Sequence, residues 1–455
     1  MNLTPKPLRI GLVAGETSGD TLGAALIVAL RERVPHVEVF GMAGPKMVAA
    51  GCEAWASSDD LGVMGLVEVL AHLPRLIGLR RSLIERFTRE RPDVVVGIDV
   101  PDFNLGLEKQ LKRRGLRTVQ YVSPQVWAWR QGRVKTLGQS CDLVLCLLPF
   151  ETDFYAQHGV HAEFVGHPLA DQIPLDVDRD GARRALGLDL NATVVALLPG
   201  SRMGEVHRLG ADFIAAAAHI AKRRPDIRFI APMASRRVRG AFEQQLAEAL
   251  GWNSRGRGDE PTLPPPAIEI LDGQAQTALA AADGVIVASG TATLETLLSK
   301  RPMVVAYRLG ALTAFLLRRF GLVKVPYFSQ PNLLLGRRRV PEFFQERVTG
   351  AALGDALLKQ MSDPGEVAKL QSEFRRVHEV LRRGGAARAA DAILEYVAGG
   401  PTSGSVAGAG SDSHSESATG SVSASSSVHG PASGEDASSR GASASTRAAS
   451  DIPRP

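Results

Sequence analysis

The sequence is poor in cysteine and has no long apolar run. Its 455 residues include three cysteines, Cys52, Cys141 and Cys146, which are too few for a disulfide framework and match no zinc-ligand spacing. No apolar stretch approaches the roughly 18 residues of a membrane-spanning helix, and Ile10–Ala14 is too short for the core of a signal peptide. These absences predict a cytosolic protein, or one bound to a membrane surface.

The composition is otherwise that of an ordinary globular protein. Hydrophobic residues make up 44% and charged residues 22% of the chain, which excludes collagen, a coiled coil and a wholly disordered chain. A chain of 455 residues exceeds what one hydrophobic core usually organises, so two domains are expected.

The composition changes abruptly at Gly399. Residues 401–455 contain 17 serines and no aromatic residue, and such a segment buries too little apolar surface to offset the entropy of ordering. We therefore predict a disordered tail over residues 399–455. The tail has more acidic than basic residues, so the body carries a net charge of +7, against +5 for the whole chain. That charge suits nucleic acid, anionic lipid or a phosphorylated substrate.

Short apolar segments typical of strands alternate with helical patterns through the body. The alternation runs from Leu8–Ala14 to Leu143–Leu147, and it restarts at Ala192–Leu198. The predicted helices include Asp20–Arg33, Leu105–Arg114 and Ala211–Arg224. This rhythm is typical of parallel sheets covered by helices. We predict two Rossmann-like α/β domains, residues 1–170 and 171–398, with a cleft between them and a hinge near Gly166–Asp180. Ligands are expected at the carboxyl ends of the strands.

Two motifs follow predicted strands in the first half. Gly11–Asp20 leads through a glycine-rich turn into a helix whose first amides can hold an anion, or it is a tight turn with a capping hydroxyl. Asp99 and Asp102 follow the strand that ends at Ile98. Either carboxylate can cap the next helix or act as a general base. Asp99 is nearer to the strand end, which favours it as the base, with Asp102 next.

Two further motifs follow strands in the second half. Leu198–Val206 contains Arg202, which can bind a phosphate or simply be solvated. In Val287–Glu295, small residues begin a helix that suits a diphosphate, and Glu295 can accept bonds from ribose hydroxyls. A well-capped helix with no ligand is the alternative reading of this segment.

Basic residues stand beside apolar ones in Leu66–Arg91 and Leu309–Val340. This pattern fits a surface that contacts lipid, and it also fits an ordinary amphipathic helix packed on a sheet. Trp127 and Trp129 lie close together near a strand end, where they belong either to the core or to a cleft wall.

Together these motifs resemble those of the lipid-A-disaccharide synthases, glycosyltransferases of lipid A biosynthesis. The segments that carry the resemblance run in family order within residues 8–396: Ala14–Asp20, Gly97–Asn104, Tyr121–Arg130, Leu198–Arg202, Ser289–Glu295 and Pro331–Leu334. The resemblance implies a two-domain glycosyltransferase fold of the B type. It also implies the reaction: 2,3-diacylglucosamine moves from UDP to the 6-hydroxyl of 2,3-diacylglucosamine 1-phosphate. The products are a β-1,6 disaccharide 1-phosphate and UDP, and no metal or redox cofactor is expected.

The resemblance also implies roles for residues and partners. It makes Asp99 the base, residues 1–170 the acceptor side and residues 171–398 the UDP-sugar side, with C-terminal helices that return to the first half. The expected nucleotide and donor ligands are Arg202, Ser289, Gly290, Thr291, Glu295 and Asn332. The expected acceptor or phosphate loop is Gly15, Glu16, Ser18 and Gly19. The expected partners are UDP-diacylglucosamine, diacylglucosamine 1-phosphate and the anionic inner face of the inner membrane, with no nucleic acid; a homodimer is left open.

Two alternatives share parts of this pattern. A UDP-sugar 2-epimerase would have the same double α/β architecture, but it would release no disaccharide. A nucleotide- or lipid-binding protein without activity would keep Arg202 and the Ser289 turn, but it would tolerate the loss of Asp99.

Overall fold

The computed structural model describes residues 6–61, 66–129, 131–249, 251, 266–310 and 327–399. The predicted tail beyond Gly399 lies outside these residues, as does half of the apolar and basic segment 309–340.

Two parallel sheets organise the described chain. The strands of the first sheet are β1 Leu8–Ala14, β2 Val37–Ala43, β3 Glu53–Ser57, β4 Val94–Ile98, β5 Thr118–Tyr121, β6 Leu143–Cys146 and β7 Ala162–Phe164. Those of the second are β8 Val194–Leu198, β9 Arg228–Met233, β10 Ile268–Asp272, β11 Gly284–Ala288, β12 Met303–Tyr307 and β13 Glu342–Phe344. The strand orders are β3-β2-β1-β4-β5-β6-β7 and β10-β9-β8-β11-β12-β13. Most central strands are buried along their whole length, because helices cover both faces of each sheet.

Helices connect the strands and cover the sheets. Those of the first half are α1 Glu16–Arg33, α2 Pro45–Ala49, α3 Leu66–Glu90, α4 Pro101–Lys112, α5 Val126–Trp129, α6 Val134–Ser140, α7 Pro149–Ala156 and α8 Pro168–Gln172. Those that follow are α9 Arg179–Ala185, α10 Met203–Arg223, α11 Arg236–Ala249, α12 Ala275–Ala281, α13 Thr291–Leu298, α14 Gln330–Leu335, α15 Gly350–Met361, α16 Pro364–Leu381 and α17 Gly385–Ala398. No helix among the described residues is long and apolar enough to cross a membrane.

Three helices begin earlier than the apolar pattern predicts. The pattern starts helices at Asp20, Leu105 and Ala211, whereas α1, α4 and α10 begin four to eight residues before those positions. Polar residues and glycines are frequent between the predicted and the observed starts, although α10 already buries Val206 and Leu209 there. The motifs lie at or just before the first turns of helices, where backbone N–H groups have no partner within the helix.

The last helix returns to the first sheet. Ala389 and Ile393 of α17 are buried in the same core as β1 and β4. The Asp171 carboxylate accepts the N–H groups of Gly384 and Gly385 at 2.9 and 2.7 Å, which anchors the start of α17. Residues 385–398 thus complete the hydrophobic core of the first half.

Candidate functional site

Both sheets have a point at which the chain reverses its direction of strand addition. From β1 the chain adds β2 and β3 on one side, and β4 then starts the other side. The second sheet repeats the arrangement with β8 and β11 as the neighbouring strands. In open parallel sheets, ligands bind at the carboxyl ends of strands at such a switch point. The four sequence motifs follow β1, β4, β8 and β11, so each switch point carries two of them.

Asp99 lies at the switch point of the first sheet in an unusual backbone conformation. Asp99 and Val100 have φ values of 55° and 40°, in the left-handed region that residues with a side chain seldom adopt. The backbone N–H of Asp99 donates to the carbonyl of Tyr121 at 2.9 Å. Its carbonyl accepts from Nδ2 of Asn104 at 2.8 Å and from Nε2 of Gln120 at 3.2 Å. These bonds hold the strained turn in place, so the carboxylate starts from a fixed backbone.

The glycine-rich turn after β1 packs directly against the Asp99 loop. A Cβ on Gly15 would lie 2.6 Å from Cγ2 of Val100 and 2.9 Å from Cδ1 of Leu61, so a larger residue would push the two loops apart. Ser18, in the first turn of α1, donates its hydroxyl to Oδ2 of Asp99 at 3.5 Å. Two motifs that are 80 residues apart in sequence therefore form one surface.

Asp102 occupies a different environment from that of Asp99. It lies in the first turn of α4, where an acidic side chain is favourable. Its carboxylate forms an ion pair with Arg133 and is 78% exposed, and its carbonyl accepts from Arg80 at 3.0 Å. The structure thus gives Asp102 a helix-end position and a surface ion pair.

Arg202 projects from the switch point of the second sheet. Gly200 has a φ of 134°, and Oε2 of Glu205 accepts the N–H groups of Ser201 and Arg202 at 2.9 and 3.2 Å. The Glu205 carboxylate therefore fixes the backbone of the turn, while the Arg202 side chain is 76% exposed. Its closest acid is Glu205 at 3.6 Å, an arrangement that leaves most guanidinium N–H groups for an anion.

The turn after β11 presents an open helix start. The N–H of Ser289 donates to Ala306 and its hydroxyl donates to Phe328, at 2.9 and 3.1 Å. Gly290 has a φ of 143°, and a Cβ there would meet no atom within 4 Å. No side chain caps α13, which begins at the exposed Thr291. Uncapped amides beside open space are suited to bind a phosphate group.

Known proteins match this chain along almost its whole body. The sequence profile described as Lipid-A-disaccharide synthetase matches residues 10–396. The lipid-A-disaccharide synthase of Alkalilimnicola ehrlichii is 50% identical over 394 residues, covering 86% of this chain and 99% of the relative. That of Pseudomonas aeruginosa strain UCBPP-PA14 is 50% identical over 390 residues, covering 86% and 98%.

The chain belongs to the lipid-A-disaccharide synthase family. The expectation from the sequence motifs is thereby confirmed, and the chain is a hexosyltransferase of lipid A biosynthesis. Its reaction is the family's transfer of 2,3-diacylglucosamine from UDP to 2,3-diacylglucosamine 1-phosphate.

Solved structures confirm the fold class. UDP-GlcNAc 2-epimerase from Neisseria meningitidis is similar with a TM-score of 0.56 and 12% identity, covering 86% of this chain and 100% of that one. The kitacinnamycin glycosyltransferase is similar with a TM-score of 0.55 and 19% identity, covering 86% and 99%. Because an epimerase and glycosyltransferases share this fold, the fold alone leaves the epimerase alternative open. Membership of the synthase family decides against it.

Glu295 and Asn332 differ in whether their side-chain polar atoms are already paired within the protein. Burial raises the pKa of Glu295, and this carboxyl group has no ion pair among the described residues. Asn332 is fully buried: its Oδ1 accepts the N–H groups of Arg339 and Val340 at 2.7 and 2.9 Å, and its Nδ2 donates to Val340 at 2.9 Å. The Asn332 amide is thus engaged in the turn that follows α14.

Sequence reasoning missed several residues that support these synthase loops. Asn104 and Gln120 hold the Asp99 turn, Glu205 holds the Arg202 turn, and Glu342 accepts from the N–H of Ser329 at 2.9 Å. The signal for Gln120 was present, since a glutamine stands between Val119 and Tyr121 inside a fully buried strand. Asn104 and Glu205 lie in helices, where polar residues are common, and Glu342 begins the three-residue strand β13, which is too short to show a pattern.

Proposed function

We propose that Asp99 is the general base of the transfer and that the switch point between β8 and β11 binds the UDP part of the donor. The observation that carries the proposal is the placement of all four motifs at the two switch points. It is supported by the fixed backbone of Asp99 and by the open start of α13.

The base acts on the acceptor. Asp99 takes the proton of the 6-hydroxyl while that oxygen attacks the anomeric carbon of the donor from the face opposite UDP. The new C–O bond forms as the bond to the diphosphate oxygen breaks, and the electron pair leaves with UDP. Because the carboxylate is tied to Asn104 and Gln120 through its own backbone, it can stay in position as the proton moves.

The second sheet stabilises the leaving group. The exposed guanidinium of Arg202 and the uncapped amides at Ser289–Thr291 supply positive charge where the diphosphate charge develops. Glu295 accepts bonds from the ribose hydroxyls. Asn332 acts by holding the turn after α14, because its own amide is occupied.

The loop after β1 completes the acceptor side. Gly15, Glu16, Ser18 and Gly19 form the start of α1, whose amides suit the 1-phosphate of the acceptor. The contact between Ser18 and Asp99 links this phosphate site to the base.

A face of α3 is suited to contact lipid. Leu73 and Ile77 lie one turn apart and are 44% and 54% exposed, and the side chain of Arg81 follows one turn later at 82% exposure. Arg80 is not part of this face, because its guanidinium packs over the Phe103 ring at 4.9 Å. We place the enzyme at the anionic cytoplasmic face of the inner membrane, bound peripherally through this face.

One assay tests the proposal directly. The protein is incubated with UDP-2,3-diacylglucosamine and 2,3-diacylglucosamine 1-phosphate, and the products are weighed by mass spectrometry. We expect disaccharide 1-phosphate and UDP in equal amounts from the wild type. Asp99→Asn should form both products at least about 100-fold more slowly and should still bind UDP. Turnover by Asp99→Asn within a few-fold of wild type would move the base role to Asp102.

A further inference from the structure

A closed cluster of polar side chains lies directly behind the Asp99 turn. Asn104, Glu108 and Gln120 are each fully buried. Asn104 and Glu108 are one turn apart on α4, and Gln120 on β5 pairs in register with Gly97 on β4. A Cβ on Gly97 would lie 2.3 Å from Oε1 of Glu108 and 3.0 Å from Cγ of Asn104. The carboxyl group of Glu108 therefore fills the space that Gly97 leaves open.

The two amides of this cluster point the same way. Nδ2 of Asn104 reaches three carbonyl oxygens at the ends of β1 and β4, those of Val13, Ile98 and Asp99, at 2.8 to 3.3 Å. Nε2 of Gln120 likewise donates to three carbonyls, one of them that of Asp99. Turning either amide over would set its oxygen against three carbonyl oxygens, so both orientations are fixed. The two amide oxygens therefore lie on the opposite side of each amide from these carbonyls, here called the inner side.

The inner side holds acceptors without donors. Oδ1 of Asn104, Oε1 of Gln120 and both carboxyl oxygens of Glu108 are buried, and none of them accepts a hydrogen bond from a side chain among the described residues. A carboxylate is an acceptor only, whereas a carboxylic acid brings one O–H donor. The cluster can therefore form an internal hydrogen bond only if Glu108 carries a proton.

The surroundings of the cluster also favour the protonated form of Glu108. Burial, together with the charge of Asp142, raises the pKa of Glu108 well above its usual range. The N–H of Gly97 and the ammonium of Lys112 offset only part of this effect. Lys112 forms its ion pair with Asp142, at 2.8 Å, rather than with Glu108.

We propose that Glu108 is a neutral carboxylic acid and a positioning residue for the base. Its single O–H donates to an amide oxygen of the Asn104–Gln120 pair and so fixes the side chains that hold the Asp99 turn. The inference rests on the proposed role of Asp99 as the base. Glu108 itself touches no substrate and acts only through Asn104 and Gln120.

Three variants of the full-length protein test the positioning role. Glu108→Gln keeps a donor in the same place, so we expect kcat within a few-fold of wild type. Glu108→Leu keeps the volume and removes the donor, so we expect kcat to fall roughly 10- to 100-fold because the base loses its geometry, with UDP affinity unchanged. Leu111→Ala, at a fully buried leucine on the same helix, serves as the control: it should lower the melting temperature and leave kcat per folded enzyme unchanged.

An infrared measurement tests the protonation state without reference to activity. The wild type at neutral pH should show a carbonyl band of a protonated carboxyl group that is absent from Glu108→Gln. No such difference, wild-type kcat in Glu108→Leu, or equal losses in Glu108→Gln and Glu108→Leu would each overturn the proposal. If the band is present while Asp99→Asn stays active, the neutral acid stands and the proposed base fails.

Discussion

The two switch points of this glycosyltransferase are built in opposite ways. At the first, buried amides hold Asp99 in a left-handed turn, and Gly15 packs tightly against the neighbouring loop. At the second, Arg202 is mostly exposed and Gly290 faces open space. Proton transfer needs one carboxylate held at a defined position, whereas a diphosphate is bound well by any set of donors that can close around it. The difference fits the proposed roles, with the base at the first switch point and UDP at the second.

The same contrast applies to the loops behind each site. The Asp99 turn is supported by side chains that have no access to water, so a change there would be transmitted to the carboxylate. The Arg202 turn is supported by Glu205, which caps backbone N–H groups and leaves most of the guanidinium exposed. Variants at the first site should therefore alter kcat, and variants at the second should alter nucleotide affinity.

The largest expected effect is that of Asp99→Asn. Loss of the base should lower kcat by about 10²–10⁴-fold, while UDP affinity and melting temperature stay close to wild type, because the backbone that holds the turn is unchanged. Steady-state kinetics and calorimetry measure these quantities. Asp102→Asn is the matched control, and it should stay within a few-fold of wild type because Asp102 makes a surface ion pair. Comparable losses in both variants would remove the distinction between the two carboxylates.

A smaller effect is expected from Arg202→Ala. Losing a charge-assisted contact with phosphate should weaken UDP binding by about 1.5–3 kcal/mol, with the KM for the acceptor unchanged. Arg224→Ala is the control, since Arg224 is an exposed arginine paired with Asp226 just after α10. Equal UDP affinity in wild type and Arg202→Ala, measured by titration calorimetry, would take the phosphate role away from Arg202.

The comparison extends to the outer surface of the first half. Replacing Leu73 and Ile77 by serine should reduce the fraction of protein that sediments with anionic vesicles, because the change removes the exposed apolar face of α3. Val28→Ser is the control, at a residue that is 51% exposed on α1. Molar salt should release much of the bound wild-type protein, since part of the attraction is electrostatic. Sedimentation that is the same for the double variant and the control would show that this face does not contact lipid.

The smallest effect is expected from removing the tail. A chain that ends at Gly399 should keep the melting temperature and turnover of the full-length protein, because the matched family profile ends at residue 396 and the serine-rich segment has no apolar periodicity. Thermal denaturation and the disaccharide assay measure both. A clear loss in either would assign the tail a packing or catalytic contribution.

The fold and the positions of the motifs could be predicted from the sequence. Runs such as Val94–Ile98 and Gly284–Ala288 are apolar throughout and are followed by glycines and polar residues, a pattern typical of a central parallel strand and its loop. The order of the six family segments was also sufficient to recognise the synthase family, and with it the reaction.

Helix starts and supporting side chains could not be predicted in this way. The first turns of α1, α4 and α10 mix polar residues and glycines with apolar ones, so the apolar pattern placed the three helix starts too late. The choice of Asp99 over Asp102 as the base rested only on its distance from the strand end, since both carboxylates follow the same strand. They differ in their surroundings: buried amides hold the backbone of Asp99, whereas the carboxylate of Asp102 pairs with Arg133.

The sequence by itself determined the local elements, the family and the list of chemical groups. It did so because strand burial, helix periodicity and turn residues are properties of neighbouring positions. Only the tertiary structure decided which groups meet: Gly15 with Val100, Ser18 with Asp99, and Gln120 with the turn that Asn104 also holds. Those contacts join residues far apart in sequence. They follow from strand order and register, which depend on how the whole sheet packs.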